Sequence, residues 1–353
     1  MVGLTLAERI RGCLLGGACG DALGAPVEFL STPQIVARFG SKGITGFEPD
    51  NGPLGAVTDD TQMTMFTVEG LIRARVRQEL EGVADWPAVA HHAYLRWLST
   101  QLHPHTARPS IDGLDGWLIE DARLWSQRAP GTTCLVALKS ATTLGAPAEN
   151  DSKGCGTVMR DAPWGLAFPD DPDTAFRLAF EAARTTHGHP SAHYASGAIA
   201  AIVSRLCAGL DLRDAVERTI TGNLRHANGV EVAAALVMAL QFAGQPGWRS
   251  SLLELGGGWV AEEALAIAVL CALSAEAPRQ ALIAAVNHDG DSDSTGAICG
   301  NLLGAALGAD AFPAEWIAQL EMRDLLETLA RDLADSLMPG FDARAFEVRY
   351  PGW

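Results

Sequence analysis

The chain has 353 residues and a formal net charge of −16, with 42 acidic side chains against 26 Lys and Arg. General binding to nucleic acids or to anionic membranes depends on clustered Lys and Arg, so this balance argues against both. Seven cysteines form no CxxC pair, and no charge-free apolar stretch reaches the ~18 residues of a transmembrane helix, which indicates free thiols in a cytoplasmic protein.

The first predicted element is a helix close to the N-terminus. Thr5 and Glu8 fit a capping box, and no secretory apolar region precedes them. Each glycine inside a helix costs up to about 1 kcal/mol relative to alanine. Four lie along this helix, namely Gly12, Gly16, Gly17 and Gly20. Close packing on a second helix would offset that cost, and the segment with Gly296, Gly300 and Gly304 is the candidate partner.

Oxygen-rich side chains cluster near both ends of the chain. Glu28 and the run Thr58-Asp59-Asp60 come early, and Asp291-Ser292-Asp293-Ser294-Thr295 comes far downstream. Each Asp run precedes a helix-forming stretch, so single members are explained as ordinary N-caps. Paired acids, however, repel each other unless a cation lies between them. Hard oxygen donors favour Mg²⁺, Mn²⁺ or Ca²⁺ over Zn²⁺, so we predict one divided metal site.

A calcium-binding loop is the first alternative for the downstream cluster. Asp289, Asp291 and Asp293 match the first three ligand positions of an EF-hand. That loop also requires Gly at its sixth and Glu at its twelfth position, where this chain has Ser294 and Gly300. The spacing therefore argues against an EF-hand.

The middle of the chain is predicted to be helical. Apolar residues recur every three to four positions in Ala175–Arg184, Ala195–Leu206, Val230–Phe242 and Ala261–Leu273. Runs of period two that are typical of strands are missing. We predict an all-α fold in one domain, residues 1–353, because no linker divides the chain. Longer loops are expected at about 24–57, 103–115, 145–157 and 243–258.

Two further segments carry candidate ligand contacts. Ser152-Lys153-Gly154-Cys155-Gly156 could bring backbone N–H groups close to a phosphate, although a plain turn before a helix explains it on its own. Thr186-His187-Gly188-His189-Pro190 joins two helices, and no third His or Cys stands at zinc-ligand spacing. His91, His92 and the segment 103–105 are predicted to be surface or loop residues without a role.

Together these segments resemble the ADP-ribosylglycohydrolase family. The resemblance spans most of the chain, and its ordered combination is specific although each motif alone is weak. It runs through Gly12-Cys13-Leu14-Leu15-Gly16, Gly20-Asp21-Ala22-Leu23-Gly24-Ala25-Pro26-Val27-Glu28, Thr58-Asp59-Asp60-Thr61, Gly154-Cys155-Gly156 with Met159-Arg160, His187-Gly188-His189-Pro190 and Gly290-Asp291-Ser292-Asp293-Ser294-Thr295-Gly296.

The resemblance implies a compact orthogonal bundle of helices around a cleft with two divalent cations, Mg²⁺ or Mn²⁺. The implied metal ligands are Thr58, Asp59, Asp60, Asp291, Asp293 and Ser294. The implied substrate contacts are Ser152, Gly154, Cys155, Gly156 and His187, of which the glycine loop would meet a diphosphate. Asp289 departs from the family pattern, and we expect it either to strengthen metal binding or to face water.

The implied activity is metal-dependent removal of ADP-ribose from modified proteins, most simply from arginine. Glu28, Asp60 and Asp291 are the candidates for the catalytic acid and base, without assignment between them. Serine, O-acetyl-ADP-ribose, a base or a small molecule would fit as the acceptor too. The alternative is an immunity protein that neutralises an ADP-ribosylating toxin by direct binding, with or without hydrolysis. We expect a monomer.

Overall fold

The computed structural model of the protein describes residues 3–49, 52–103 and 115–352. Within these ranges the secondary structure is helical, and the only β-type pairing is one antiparallel bridge between Gly154 and Val260. The predicted all-α class is confirmed. Pro104, His105 and most of the predicted loop at 103–115 lie outside the described residues.

The helices are numbered in chain order within the described ranges. They are α1 Leu6–Gly24, α2 Thr32–Phe39, α3 Asp59–Glu81, α4 Trp86–Leu102, α5 Thr132–Ser140, α6 Ala162–Ala167, α7 Pro172–Ala183, α8 Pro190–Cys207, α9 Leu212–Gly222, α10 Val230–Phe242, α11 Leu252–Leu255, α12 Ala261–Ser274, α13 Pro278–Val286, α14 Ser292–Leu307, α15 Ala314–Gln319, α16 Arg323–Ser336 and α17 Ala343–Glu347. The four helices predicted from periodicity correspond to α7, α8, α10 and α12.

Capping residues explain where the predicted and observed helices differ. Helices α7 and α8 begin earlier than the apolar pattern suggests, because Asp171 and His189 cap them and each has a proline in its first turn. Helix α2 lies inside a stretch that was predicted to be a loop, where Ser31 and Gln34 form a capping box. The predicted box of Thr5 and Glu8 at the start of α1 is confirmed.

Helices α1 and α14 pack against each other along their glycines. A Cβ atom added at Gly12, Gly16 or Gly20 would overlap the carbonyl oxygen of Gly304, Gly300 or Gly296, respectively. The predicted close contact between these two helices is therefore confirmed. At one end of the contact, Gly24 lies against the backbone of Ser292 and Asp293. This packing brings the two acidic ends of the chain together.

The prediction that His91 and His92 are surface or loop residues is wrong. Both lie in α4, and His91 is buried, where its Nδ1 accepts a hydrogen bond from the Gly145 amide at 3.0 Å. His92 lies beside Arg96, whose guanidinium contacts the His92 ring nitrogen. Because α4 is buried on most sides, its sequence lacks the alternation of apolar and polar faces from which exposure is predicted.

The state of the cysteines and the lengths of the apolar helices agree with what the sequence predicted about thiols and membrane spans. All seven cysteines are free thiols, and most are buried. Among the described residues no single helix is long and apolar enough to cross a membrane. The segments Leu6–Val27 and Thr32–Phe39 meet the combined requirement of length and apolar composition only as a pair bent by 93°, and α1 is largely buried within the protein.

Candidate active site

The acidic side chains meet where three segments end or begin. Thr58 caps α3, Asp291 caps α14, and Glu28 follows the short 3-10 helix Ala25–Val27. One carboxylate oxygen from each of Glu28, Asp291 and Asp293 lies within 4.8 Å of the other two. Residues that are more than 260 positions apart in the sequence therefore form one group.

The capping interpretation accounts for only part of this group. Thr58 Oγ1 accepts a hydrogen bond from the Asp60 amide at 3.3 Å, and Asp291 Oδ1 accepts one from the Ser294 amide at 3.3 Å. These bonds satisfy the helix N-termini. Asp59, Asp60 and Asp293 are additional acids in the first turns. Capping does not explain why they are buried beside the caps.

Burial and mutual repulsion raise the pKa values of these acids. Burial is the main cause for Asp59, whose pKa is raised to about 8, and the charges of Asp21 and Asp291 add to it against a hydrogen bond from Gly131. The pKa values of Asp60 and Asp293 are raised well above the usual range, again chiefly by burial and then by neighbouring carboxylates. The charged form of this cluster requires a cation.

The donors of the cluster fit a divalent metal ion. Asp60 Oδ2 is buried and has no hydrogen-bond partner among the described residues. Thr58 and Ser294 add hydroxyl oxygens beside the carboxylates, and both are buried. Carboxylate and hydroxyl oxygens are the ligands that Mg²⁺ and Mn²⁺ prefer. The predicted ligand residues therefore lie together with suitable chemistry.

Asp21 has a structural role that the sequence did not predict. Its two carboxylate oxygens each lie 3.0 Å from the Thr58 amide, and Oδ2 also accepts from the Thr61 amide at 3.1 Å and from the Thr61 hydroxyl. Burial raises the Asp21 pKa to about 6 against these hydrogen bonds. This residue of α1 thus fixes the first turn of α3, from which Asp59 and Asp60 project.

Asp289 does not belong to the acid cluster. It is exposed, and its carboxylate accepts a hydrogen bond from the Thr32 amide, which lowers its pKa. It therefore ties the start of α2 to the loop before α14, and of its two expected roles the structure agrees with the one in which the side chain faces water. The first ligand position of the EF-hand pattern is absent from the cluster for the same reason.

The glycine loop at 152–156 lies next to the cluster. The Cys155 thiol donates a hydrogen bond to Asp291 Oδ2 at 2.8 Å. The Gly154 amide donates to Ser152 Oγ at 3.3 Å, and the Cys155 amide donates to the Trp259 carbonyl at 3.1 Å. These two amides are already bonded within the protein, which differs from the expectation that they are directed at a phosphate.

His187 lies against the same loop. A Cβ atom at Gly154 would lie 3.4 Å from His187 Nε2, and one at Gly156 would lie 3.3 Å from His187 Cε1. The side chain is buried, and its Nδ1 is 3.0 Å from Thr186 Oγ1. Burial lowers the His187 pKa well below its usual value, and the charge of Arg160 lowers it further. His187 is therefore a neutral imidazole at physiological pH.

Two exposed aromatic side chains lie at the edge of the acid cluster. Phe29, which follows Glu28, stacks on Trp259 with 5.9 Å between ring centroids. Phe29 is 71% exposed and Trp259 is 46% exposed. A cavity of about 70 Å³ lies beside Phe29 and is lined also by Glu28, Thr58 and Arg128. The sequence did not predict this pair, since its members are 230 positions apart.

Comparison with known proteins identifies the family. Residues 3–341 match the sequence pattern of the ADP-ribosylglycohydrolases. The chain belongs to the ADP-ribosylglycohydrolase family. The resemblance described from the sequence motifs is confirmed, and the fold agrees with the architecture of this family.

Relatives cover nearly the whole chain. The chain is similar to the ADP-ribosyl-[dinitrogen reductase] glycohydrolase of Rhodospirillum rubrum, with 25% identity over 96% of this chain and 98% of that protein. It is 23% identical to the ADP-ribosylarginine hydrolase Tri1 of Pseudomonas putida (strain GB-1), over 93% of this chain and 78% of that one. A solved ADP-ribosylglycohydrolase-related protein complex has a TM-score of 0.67 at 26% identity, covering 94% of this chain and 99% of that chain.

Family membership supports an ADP-ribosyl hydrolase activity. The family is metal-dependent, which agrees with the oxygen-rich cluster of buried acids.

Proposed function

We propose that the protein hydrolyses the N-glycosidic bond between ADP-ribose and an arginine side chain of a modified protein, with two Mg²⁺ or Mn²⁺ ions. The main support is the meeting of Glu28, Asp291 and Asp293 within 4.8 Å. The names of two relatives add to it, since one acts on ADP-ribosylarginine and another on ADP-ribosylated dinitrogen reductase. We also propose that the enzyme is a monomer located in the cytoplasm.

The proposed roles are those that the family resemblance implies for these side chains. When bound, the cations would hold the ribose hydroxyls and polarise a water molecule. Ser152, the Gly154–Gly156 loop and His187 would hold the diphosphate. Six residues would hold the cations, namely Thr58, Asp59, Asp60, Asp291, Asp293 and Ser294.

Proton transfer is best assigned to Glu28. Asp60 and Asp291, the other two candidates, are in the six-residue ligand set that the resemblance implies, where binding to a cation would lower their basicity. Glu28 is outside that set, although one of its carboxylate oxygens lies within 4.8 Å of Asp291 and Asp293. Glu28 lines the cavity beside Thr58 and Phe29, so water can reach it. We therefore propose that Glu28 accepts a proton from the attacking water and returns it to the departing guanidine.

We expect the purified protein to release ADP-ribose from an arginine-ADP-ribosylated protein when Mg²⁺ or Mn²⁺ is present. EDTA should abolish the release, because the acid cluster would lose the positive charge that holds ribose and water. Chromatography of the released nucleotide, with a serine-linked substrate assayed in parallel, measures both activity and acceptor. Cleavage of the serine linkage alone would overturn the arginine assignment and leave the ADP-ribosyl hydrolase intact.

A binding assay distinguishes the immunity-protein alternative from the proposed hydrolase. If the protein formed a stable complex with an ADP-ribosylating toxin, and Asp60→Ala kept that complex without releasing ADP-ribose, a binding function would be supported. Toxin neutralisation that is lost together with hydrolysis would support reversal of the modification.

The aromatic pair supports a cationic acceptor. Cations bind to the faces of Trp and Phe, and a partly exposed interaction contributes about 0.5–2 kcal/mol. Phe29 and Trp259 lie beside Glu28 and the glycine loop, respectively, so they flank the place where a leaving group would emerge. An arginine guanidinium could stack there, whereas serine offers no charge or plane for this contact.

Accordingly, Phe29→Ala should lower kcat/KM for an arginine-linked substrate by about tenfold, which corresponds to 1.4 kcal/mol. The affinity for free ADP-ribose, which lacks the acceptor, should stay unchanged. Steady-state kinetics and isothermal titration calorimetry measure the two quantities. Met338→Ala, at a side chain that is 60% exposed and outside the candidate site, is the control. Equal relative losses in kcat/KM and in the affinity for free ADP-ribose would contradict a role of Phe29 in binding the acceptor.

A further inference from the structure

A chain of three side chains reaches from the protein interior to the glycine loop. Arg160 is fully buried, with its guanidinium carbon 4.2 Å from the Tyr94 ring centre. Its Nη2 donates a hydrogen bond to Thr186 Oγ1 at 2.7 Å. Thr186 Oγ1 lies 3.0 Å from His187 Nδ1, and the opposite side of this imidazole adjoins Gly154 and Gly156.

The direction of the hydrogen bonds in this chain can be deduced. The arginine side chain has only donors, so Thr186 Oγ1 accepts from it and must place its own proton elsewhere. The Ala183 carbonyl is one choice, at 3.4 Å, but it already accepts from the Thr186 and His187 amides at 3.2 and 3.1 Å. His187 Nδ1 is nearer, and as an acceptor it has no competing donor among the described residues. The Thr186 hydroxyl therefore donates to Nδ1.

We propose that Arg160 and Thr186 act as positioning residues that hold His187 in the tautomer with its proton on Nε2. That N–H is then a fixed donor for an anionic oxygen of the ligand at the Gly154–Gly156 loop. Identifying this oxygen as part of the diphosphate of ADP-ribose rests on the proposed function, whereas the tautomer does not.

The surroundings of His187 fit such a donor. No described residue forms a hydrogen bond with Nε2, although the side chain is only 1% exposed. Nε2 is not among the fully enclosed polar atoms that lack a partner, so it lies at the small part of the side chain that a ligand or water can reach and satisfy. Two glycines next to the ring leave the space that a Cβ atom would fill. The Gly154 and Cys155 amides are engaged elsewhere, so the imidazole supplies a donor that these amides do not.

The first test reads the tautomer in the unmodified protein. In ¹⁵N-labelled protein, long-range proton–nitrogen NMR should show His187 with Nε2 protonated and Nδ1 unprotonated at neutral pH. The His187→Gln variant, which lacks the signal, assigns it among the nine histidines. A proton on Nδ1, or a positively charged ring, would overturn the proposal even if the protein hydrolyses its substrate normally.

The second test removes the hydroxyl that connects Arg160 to His187. We expect Thr186→Val to weaken ADP-ribose binding and to raise KM by about tenfold, with kcat little changed, because the hydrogen bond from Nε2 to a charged oxygen would be weakened once the tautomer is no longer held. Thr186→Ser should restore both values and the tautomer. The matched control is Thr185→Val, since the Ala182 carbonyl is the one hydrogen-bond partner of the buried Thr185 hydroxyl among the described residues.

Two outcomes separate this inference from the proposed function. If the protein bound no ADP-ribose but kept the Nε2–H tautomer, the positioning chain would stand and the substrate would be wrong. If ADP-ribose bound tightly and Thr186→Val altered neither the affinity nor the NMR signal of His187, the positioning role would be refuted. If Thr185→Val weakened ADP-ribose binding and raised KM as much as Thr186→Val does, the positioning role would also be refuted, because both effects would then reflect altered packing.

Discussion

Asp60→Asn is expected to lower hydrolysis by about a thousandfold or more while leaving the metal-free protein more stable at alkaline pH. The loss of activity follows because a metal ion in an active site contributes several kcal/mol to transition-state stabilisation, and each 1.36 kcal/mol is a tenfold change in rate. Asparagine keeps the shape of the side chain but supplies a weaker ligand and no charge. Release of ADP-ribose under saturating substrate and Mn²⁺ measures this effect.

The gain in stability follows from the raised pKa of the buried acid. Because the Asp60 pKa in the folded protein lies well above its value in the unfolded chain, the protonated carboxyl favours folding. That contribution is present below about pH 4, the unfolded value, and is lost as the pH rises through the folded pKa. Asp59 behaves in the same way, with its folded pKa at about 8. Without metal, the wild type should therefore lose stability as the pH rises from about 4 through the folded pKa values of Asp59 and Asp60.

Urea unfolding at pH 5 and pH 8, in EDTA and in Mn²⁺, separates the two effects. In EDTA at pH 8, Asp60→Asn should unfold at higher urea than the wild type, and the difference should shrink at pH 5. Mn²⁺ should stabilise the wild type by about 2.7 kcal/mol at a hundred times its Kd, and the variant much less. Asp170→Asn, at an exposed turn, is the control. A fully active Asp60→Asn enzyme would refute the metal site.

Local signals in the sequence predicted those parts of the site that depend on short-range chemistry. Thr58 and Asp291 are N-caps, as their type and position suggested, and the acids beside them predicted a cation. The four-residue spacing of glycines in α1 and α14 predicted a close contact that brings the two acid runs together. These features were predictable because each depends on residues within one or two helical turns.

Other features depend on contacts between distant segments, so no local pattern reveals them. The Asp21 carboxylate bonds to the start of α3 across 37 positions, and Asp289 bonds to Thr32 across 257. The Cys155 amide is taken up by the Trp259 carbonyl, more than 100 positions away, which changes what the loop offers to a ligand. The buried His91 lacked a signal for the same reason, since its hydrogen-bond partner is in another segment.

Gly300→Ala is expected to destabilise the fold by about 3 kcal/mol or more, at or beyond the upper end of ordinary overpacking. The added Cβ atom would overlap the carbonyl group of Gly16 and approach the Gly17 amide, and both are backbone groups that no rotamer change can move away. Helices α1 and α14 would have to separate. Because Gly24 lies against Ser292 and Asp293 in the same contact, the separation should also displace the acid cluster and reduce hydrolysis. Urea unfolding and the ADP-ribose release assay measure both effects.

Gly222→Ala is the matched comparison, because it adds the same methyl group to a helical glycine without the close contact. Gly222 is exposed at the end of α9, and an added Cβ atom would lie 3.7 Å from Arg205 Nη2, with no closer contact among the described residues. Alanine should stabilise this position by up to about 1 kcal/mol through helix propensity and a less flexible unfolded chain. Since propensity favours alanine in both variants, opposite signs of the two effects isolate the backbone contact between α1 and α14. Wild-type stability and activity in Gly300→Ala would show that the two acidic ends of the chain are held together by other contacts.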